Sequence, residues 1–154
     1  MSTHEELSFA VTVTSLNGKW KVAEFDDHFE DISTAVTAVR SLRAEGPAFA
    51  MLCVEDDYFI LVRPTPGRVK LLVSDATAAT EDDFAASALE LINAEFPDAD
   101  DDSYAEGDFD LLEDLGLSEQ VLSVIADDDE AWASEQLQQI ADELGFGDEL
   151  ADLI

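Results

Sequence analysis

The stretch that decides the fold is AFAMLCVEDDYFILVR, residues 48–63. Its two parts, Ala48–Val54 and Tyr58–Arg63, are almost continuously apolar, and the acidic residues 55–57 separate them. Apolar runs of this length are typical of strands that are covered on both faces of a sheet. The acidic break predicts a turn, so the stretch indicates two strands joined by a short connection.

Patterned segments precede this hairpin. Ser8–Ser15 and Lys19–Phe25 alternate apolar and polar residues on either side of Asn17-Gly18, which is a strong signal for a two-residue hairpin turn. Apolar residues at helical spacing follow, with Ser33 as the candidate N-cap and Gly46-Pro47 as the predicted end. The upstream part therefore predicts strand, strand and helix.

The residues after the hairpin continue the sheet. Pro64–Gly67 predicts a rigid turn into a strand at Arg68–Ser74, and closely connected strands favour an antiparallel meander. Thr80 is the candidate N-cap of a helix that reaches about Glu95 and ends before Pro97.

The predicted order is strand-strand-helix-strand-strand-strand-helix. It indicates an α+β fold with a five-stranded, mostly antiparallel sheet and helices packed on it. This order resembles that of the longin, roadblock and profilin-like scaffolds, which is a resemblance of topology and names no function.

Beyond Pro97 the chain changes character. Residues 98–110 are acidic and loop-like, and three short helices follow. Their predicted limits are Gly116, Ser118, Ser134 and Gly145. We expect two parts: a sheet domain over residues 1–97, and an acidic loop with a helical appendage over residues 98–154.

The charge of the chain is strongly asymmetric. The formal net charge is −30; residues 1–70 hold all seven basic side chains and eleven acidic ones, while residues 71–154 hold 26 acidic and no basic ones. Such a field repels nucleic acid and anionic lipid and favours a basic partner. The alternative is that the acidity keeps the protein soluble or reflects a salt-adapted source.

The candidate partner-binding residues are two acidic runs and one tryptophan. They are Asp98, Asp100, Asp101, Asp102, Asp127, Asp128, Asp129, Glu130 and Trp132. Tryptophan is a favoured anchor of protein interfaces. The alternative for Trp132 is that it docks the C-terminal helix onto the rest of the protein.

The first acidic run is not a calcium loop. Asp98, Asp100 and Asp102 match ligand positions one, three and five of an EF-hand. The sixth position, which requires glycine, is Ser103, and the twelfth, which requires glutamate, is Phe109. We therefore predict no specific calcium site.

The residues that zinc or nucleophilic chemistry would need are few. The chain offers Cys53, His4 and His28, and Cys53 lies within an apolar run that is typical of a core. Phosphate-binding glycine loops and a G-x-S-x-G elbow are missing from the sequence. The sequence predicts no cofactor and no enzymatic activity.

Without a visible signal peptide or spanning segment, the expected location is the cytoplasm.

Several segments resemble the actinobacterial family of tRNA adenosine deaminase-associated proteins. They are residues 55–59 (EDDYF) with 62–63 (VR), 73–79 (VSDATAA), 114–117 (DLGL) and 140–146 (IADELGF), and the resemblance spans most of residues 8–147. It implies a deaminase as partner and transfers no active site. The chain has no P-C-x-x-C zinc motif, so it cannot itself be such a deaminase.

Two functions follow as hypotheses. The first is a non-enzymatic interaction or regulatory protein that binds a basic partner, such as a tRNA adenosine deaminase, without direct contact to nucleic acid or membrane. The alternative is a longin/roadblock-like scaffold or homodimerisation module whose acidity is incidental.

Overall fold

The computed structural model describes residues 8–98, 100–128 and 130–153. In these ranges six strands form one antiparallel sheet: β1 (Phe9–Leu16), β2 (Lys19–Glu24), β3 (Ala48–Val54), β4 (Tyr58–Pro64), β5 (Val69–Val73) and β6 (Glu106–Gly107), in the order β2-β1-β3-β4-β5-β6. The helices are α1 (Ser33–Ser41), α2 (Asp83–Leu91), α3 (Glu119–Ala126), α4 (Ala133–Leu144) and α5 (Gly147–Ala151), with 3-10 turns at Ala76–Thr80 and Glu113–Leu115. The predicted α+β class is confirmed, but the described residues contain six strands where five were predicted.

The predicted central hairpin is the middle of the sheet. β3 begins and ends where the sequence predicted, and the limits of β1, β2, β4 and β5 lie within one residue of the predicted ones. Alternate residues of β3 enter opposite cores: Phe49, Met51 and Cys53 on one face, Ala50, Leu52 and Val54 on the other. Both faces are therefore covered, as the continuous apolar run indicates.

Two helical layers cover the two faces. α1 and α2 pack on one face through residues such as Val36 and Phe84. The other face is covered by α3, α4 and α5, through Leu122, Ile140 and Leu150 among others. Residues 98–153 thus complete one core and add β6 to the sheet. The boundary at residue 97 concerns independent folding and stays a prediction.

The N-caps of α1 and α2 differ from the predicted ones. Ser33 is the first residue of α1, and its backbone N–H donates to Asp31 Oδ1 at 2.8 Å. α1 ends at Ser41, well before the predicted end at Gly46-Pro47. Asp82, two residues after the predicted Thr80, caps α2 by accepting the Phe84 N–H at 3.0 Å. In both places an aspartate just outside the helix supplies the acceptor.

Other predicted helix limits hold. Ser118 caps α3 through its bond from the Val121 N–H at 3.3 Å. Gly116 and Gly145 end their helices in the left-handed conformation, with φ of 112° and 109°. In the part of the chain that the structure describes, no helix has the length and apolar character needed to cross a membrane.

Candidate functional site

The first predicted acidic run lies on the loop between α2 and β6. Asp98, Asp100, Asp101 and Asp102 are all exposed, and the Asp98 N–H donates to Asp101 Oδ2 at 2.9 Å. Within the described ranges no ion pair involves any of these four carboxylates. Their charge therefore faces solvent.

The second run lies on the connection between α3 and α4. Asp127, Asp128 and Glu130 are exposed, whereas Asp129 lies outside the described residues. Trp132 ends this connection at the N-cap of α4 and is 40% exposed. The two runs are separate in sequence, and Asp127 and Asp128 of the second run border a cleft.

This acidic cleft, of about 220 Å³, is formed by loops that are distant in sequence. Its lining residues are Asp57, Ser74, Asp75, Ser103, Tyr104, Ala105, Ala126, Asp127, Asp128, Ala131 and Gln136. Asp57 comes from the β3–β4 turn and Asp75 follows β5, so the fold brings two further carboxylates to the predicted Asp127 and Asp128. Among the residues that the structure describes, no basic side chain lines this cleft.

Two ionisable groups of the cleft lie near other carboxylates. Desolvation, followed by the charges of Asp75 and Glu55, raises the pKa of Asp57 above its ordinary value. Desolvation also raises the pKa of Tyr104, and Glu106 is the leading charge that adds to this shift. The electrostatic part of each shift comes from neighbouring carboxylates, whereas the leading cause, desolvation, disfavours a charge of either sign.

Gln136 forms the floor between the cleft and α3. It is 6% exposed, and its Nε2 donates to the carbonyl oxygens of Ile125, Ala126 and Asp128 at 2.8, 3.3 and 3.2 Å. These carbonyls belong to the C-terminal end of α3 and the residues after it. Two of them also accept backbone N–H groups: Ile125 O from Asp128 at 3.3 Å and Asp128 O from Ala131 at 3.4 Å. The side-chain amide is therefore fixed by its nitrogen. Its Oε1 accepts no hydrogen bond among the described residues.

Asp56 fixes the far side of the α3–α4 connection. Asp56 is 1% exposed, and its Oδ1 accepts the Ser134 N–H at 2.6 Å and the Cys53 S–H at 3.6 Å. The predicted cap Ser134 is thus wrong: Ser134 lies inside α4, and Trp132 holds the N-cap position. An indole has no acceptor, so a carboxylate from the β3–β4 turn caps this helix.

The capping of α4 is completed locally. The backbone N–H of Trp132 donates to Glu135 Oε1 at 2.9 Å, which is the second half of a capping box. One acceptor, Glu135, is therefore close in sequence, and the other, Asp56, is distant in sequence. Together they hold Trp132 and the connection before it against the sheet.

The structure places Cys53 in the core and His28 on a surface loop. Cys53 is fully buried, as predicted, and desolvation together with Asp56 raises the pKa of its thiol to about 12. His28 is exposed on a loop, and the predicted His4 lies outside the described residues. Nowhere in residues 8–98, 100–128 and 130–153 do three or more His, Cys, Asp or Glu side chains converge as a metal site.

Some carboxylates of the C-terminal part form ion pairs within the protein. Arg63 Nη2 contacts Asp114 Oδ2 at 2.9 Å, and Arg63 Nη1 also donates to the Leu111 carbonyl at 2.7 Å. Two further pairs join the sheet to the C-terminal part: Arg68–Asp108 at 2.8 Å and Lys70–Asp110 at 3.5 Å. These three acidic residues therefore pair with basic residues of the sheet. The sequence alone did not distinguish them from the acidic residues of the exposed runs.

Replacing Asp114 with asparagine is expected to lower the free energy of unfolding at pH 7 by at most about 1 kcal/mol, because this carboxylate is largely exposed. The hydrogen bond from Arg63 holds the pKa of Asp114 below its ordinary value. A carboxyl with a lowered folded-state pKa stabilises the protein above its unfolded pKa, and this contribution is lost as the pH falls through the folded value. Urea unfolding from pH 7 to pH 3 should therefore show the two proteins converging; a gap that widens in acid would contradict the pairing.

The fold and the site define a small α+β protein with one antiparallel sheet, helices on both faces and an acidic cleft. The sequence profile of the Rv3753c-like tRNA adenosine deaminase-associated proteins matches residues 8–147. The chain belongs to this family, which confirms the resemblance found in its sequence.

A curated relative supports the same family. The chain is 42% identical over 150 residues to Protein Rv3753c of Mycobacterium tuberculosis (strain ATCC 25618 / H37Rv), and the match covers 95% of this chain and 87% of that protein. No solved structure matches the chain.

Proposed function

We propose that this chain is a non-enzymatic, cytoplasmic interaction protein that associates with a tRNA adenosine deaminase and binds a basic surface on it. The observation that carries the proposal is a cleft lined by Asp57, Asp75, Asp127 and Asp128, with no basic side chain among its described lining residues. The family description, which speaks of association with a deaminase, supports the choice of partner.

The physical reason is charge complementarity. A protein that handles tRNA presents cationic surface to the phosphates. Exposed carboxylates attract such a surface over several ångströms and increase the rate of encounter. The exposed run at Asp98–Asp102 supplies this long-range attraction, and the cleft supplies short-range contacts.

Binding is tested first by titrating the protein with the deaminase of the same source, by calorimetry, at about 0.05 and 0.3 M salt, between which screening changes substantially. We expect the affinity to fall steeply at the higher salt concentration. No heat at either salt concentration, with both proteins folded, would contradict a physical complex.

Replacing Asp98, Asp100, Asp101 and Asp102 together with asparagine is expected to slow association about tenfold at low salt and to flatten its salt dependence. Asparagine keeps the size and the acceptor oxygens, so the loop should keep its backbone contacts. Stopped-flow association kinetics measure the effect.

A matched control removes four charges elsewhere, at Glu90, Asp148, Glu149 and Asp152 in α2, α5 and the residue that follows α5. We expect the control variant to associate nearly as fast as the wild type. Equal slowing in both variants would assign the effect to net charge and overturn the role of the 98–102 run.

The alternative function is a scaffold or homodimerisation module. The observation that favours it is the outer edge of β2, because in the described sheet β2 pairs with β1 alone. Edge strands can pair with a second chain, although exposed lysines such as Lys19 and Lys21 oppose it. A strictly monomeric sedimentation profile across micromolar concentrations would contradict this alternative.

A further inference from the structure

We propose that the groove between α3 and α4 docks a basic amphipathic helix of a protein partner. This α3–α4 groove has a volume of about 550 Å³. Its described lining includes Val121, Val124 and Ile125 from α3 and Gln139, Asp142 and Glu143 from α4. None of the described residues lines both this groove and the acidic cleft. The identity of the partner as the deaminase rests on the proposed function, whereas the character of the groove does not.

The α3 side of the groove is apolar. Val121, Val124 and Ile125 recur at spacings of three and four residues, which places them on one face of the helix. Ile125 is 6% exposed, while Val124 is 71% exposed, the largest value among the exposed large apolar residues of the described ranges. A partner that covers Val121 and Val124 with apolar side chains removes this surface from water, which favours binding.

The α4 side of the groove is polar and acidic. Gln139, Asp142 and Glu143 share the same helical spacing and are all exposed. Asp142 and Glu143 are the charged residues of the described lining, and neither forms an ion pair in the described ranges. An occupant that fits both walls therefore has an apolar stripe toward α3 and lysine or arginine side chains toward α4.

The walls of the groove favour a helix over an extended segment. An extended segment needs backbone partners, as an exposed sheet edge supplies, whereas α3 and α4 bond their backbone groups within each helix. A helical partner satisfies its own backbone and contacts the groove through side chains alone. Because α4 has 12 residues and is about 18 Å long, about three turns of a partner helix can lie along it.

The charge of this chain argues against a second copy as the occupant. Residues 71–154 hold 26 acidic and no basic side chains, so the α3–α5 layer of a second copy would bring carboxylates to Asp142 and Glu143. Of the seven basic side chains, three between residues 63 and 70 already pair with acids of the same chain. A partner that carries unpaired lysines or arginines meets no such repulsion.

The test titrates the full chain with a capped peptide of about 14 residues, long enough to lie along the groove as a helix. Its helical form has leucine on one face and lysine and alanine on the others. Two-dimensional NMR follows the backbone amides of Val121, Val124 and Gln139, all in the groove lining. We expect saturable shifts at these signals. Folded protein that shows no saturable shift there would overturn the proposal.

Two control peptides separate shape from charge. One has the same composition with the leucines distributed around the helix, and the other has glutamate in place of lysine. We expect both to bind at least about tenfold more weakly, since one lacks the apolar stripe and the other brings like charges to Asp142 and Glu143. Equal binding of the first would assign the effect to charge alone, and equal binding of the second would exclude a basic partner; either result overturns the proposal.

Variants then place the peptide in the groove. Val121→Thr together with Val124→Thr keeps the side-chain size and the helix propensity nearly unchanged and adds two hydroxyls. We expect this variant to bind the leucine-lysine peptide about tenfold more weakly, because a hydroxyl covered by an apolar group loses its hydrogen bonds to water.

The control variant is Leu42→Thr with Leu91→Thr. It changes two exposed apolar residues at the ends of α1 and α2, on the other face of the sheet, and should bind the peptide as the wild type does. Circular dichroism confirms that each variant is folded. Equal weakening in both variants would overturn a specific groove.

Sedimentation velocity of the wild type and of Val121→Thr/Val124→Thr tests the second copy. We expect the same sedimentation coefficient for both proteins. A wild-type dimer that this variant dissociates would identify a second copy as the occupant and overturn the proposal.

The deaminase titration separates this inference from the proposed function. Peptide binding that Val121→Thr/Val124→Thr weakens, without any deaminase binding to the wild type, supports the groove and contradicts the proposed partner. Deaminase binding that is unchanged in this variant supports the association and overturns the groove as the place where the partner docks.

Discussion

Replacing Gly107 with alanine is expected to break the pairing of β6 with β5 and to lower the free energy of unfolding by about 3 kcal/mol, as the combined effect of backbone strain and overpacking. Gly107 has φ of 135°, a backbone conformation that residues with a side chain rarely adopt. An added Cβ would lie 2.1 Å from the Leu71 carbonyl oxygen and 2.8 Å from the Leu72 Cα. Both atoms are backbone of β5, so neither can rotate away.

The damage should extend beyond the two residues of β6. Asp108 follows Gly107 directly, and its carboxylate accepts the Leu71 N–H at 3.0 Å and pairs with Arg68 at 2.8 Å. Shifting the backbone at 107 removes these contacts as well. The register Leu72↔Gly107 is the point where the C-terminal part enters the sheet, so we expect looser attachment of that part.

The matched control is Gly67→Ala. A Cβ at Gly67 meets nothing within 4 Å, and its φ lies outside the left-handed range. Urea unfolding followed by circular dichroism should show the control within about 0.5 kcal/mol of the wild type, as for surface substitutions away from special features. Equal stability of the two variants would contradict the close approach of β6 to β5.

The strands were predictable because their signals are local. The apolar run at 48–54, the alternation on either side of Asn17-Gly18 and the turn chemistry each require only neighbouring residues. β6 was not predictable, because Glu106–Gly107 has no pattern of its own and becomes a strand only by pairing with β5. Because β6 has only two residues, the sequence pattern predicted five strands and not six.

The helix caps show the same limit. Ser118 caps α3 through a contact three residues away, and the prediction held. The cap of α4 comes from Asp56, which is 78 residues away from Ser134 in sequence, and no local rule could have found it. Thr80 was the nearest plausible cap for α2, but Asp82 also receives the Tyr58 hydroxyl at 2.6 Å, a contact made only in the folded protein.

The sequence predicted two of the four carboxylates that line the cleft. Asp127 and Asp128 belong to a conspicuous acidic run, while Asp57 and Asp75 read as ordinary turn residues. Their approach depends on the sheet, which places the β3–β4 turn and the end of β5 beside the α3–α4 connection. The sequence likewise could not show which acids are neutralised by Arg63, Arg68 and Lys70.

Replacing Asp56 with alanine is expected to lower the free energy of unfolding by about 3 kcal/mol, because it removes a helix cap and leaves a buried N–H without an acceptor. The affected donor is the Ser134 N–H, which contacts Asp56 Oδ1 at 2.6 Å. Asp56 also has φ of 54°, a left-handed conformation that aspartate and asparagine tolerate better than alanine.

Asp56→Asn separates these causes. Asparagine keeps an acceptor oxygen and the tolerance for the left-handed conformation, so we expect it to cost only about 1 kcal/mol, the difference between a charged and a neutral hydrogen bond. Urea unfolding of the three proteins at pH 7 measures both values. If alanine costs no more than asparagine, the remote cap does not stabilise α4. If alanine costs much more, the β3–β4 turn is what holds the α3–α4 connection, and with it Asp127 and Asp128, at the edge of the cleft.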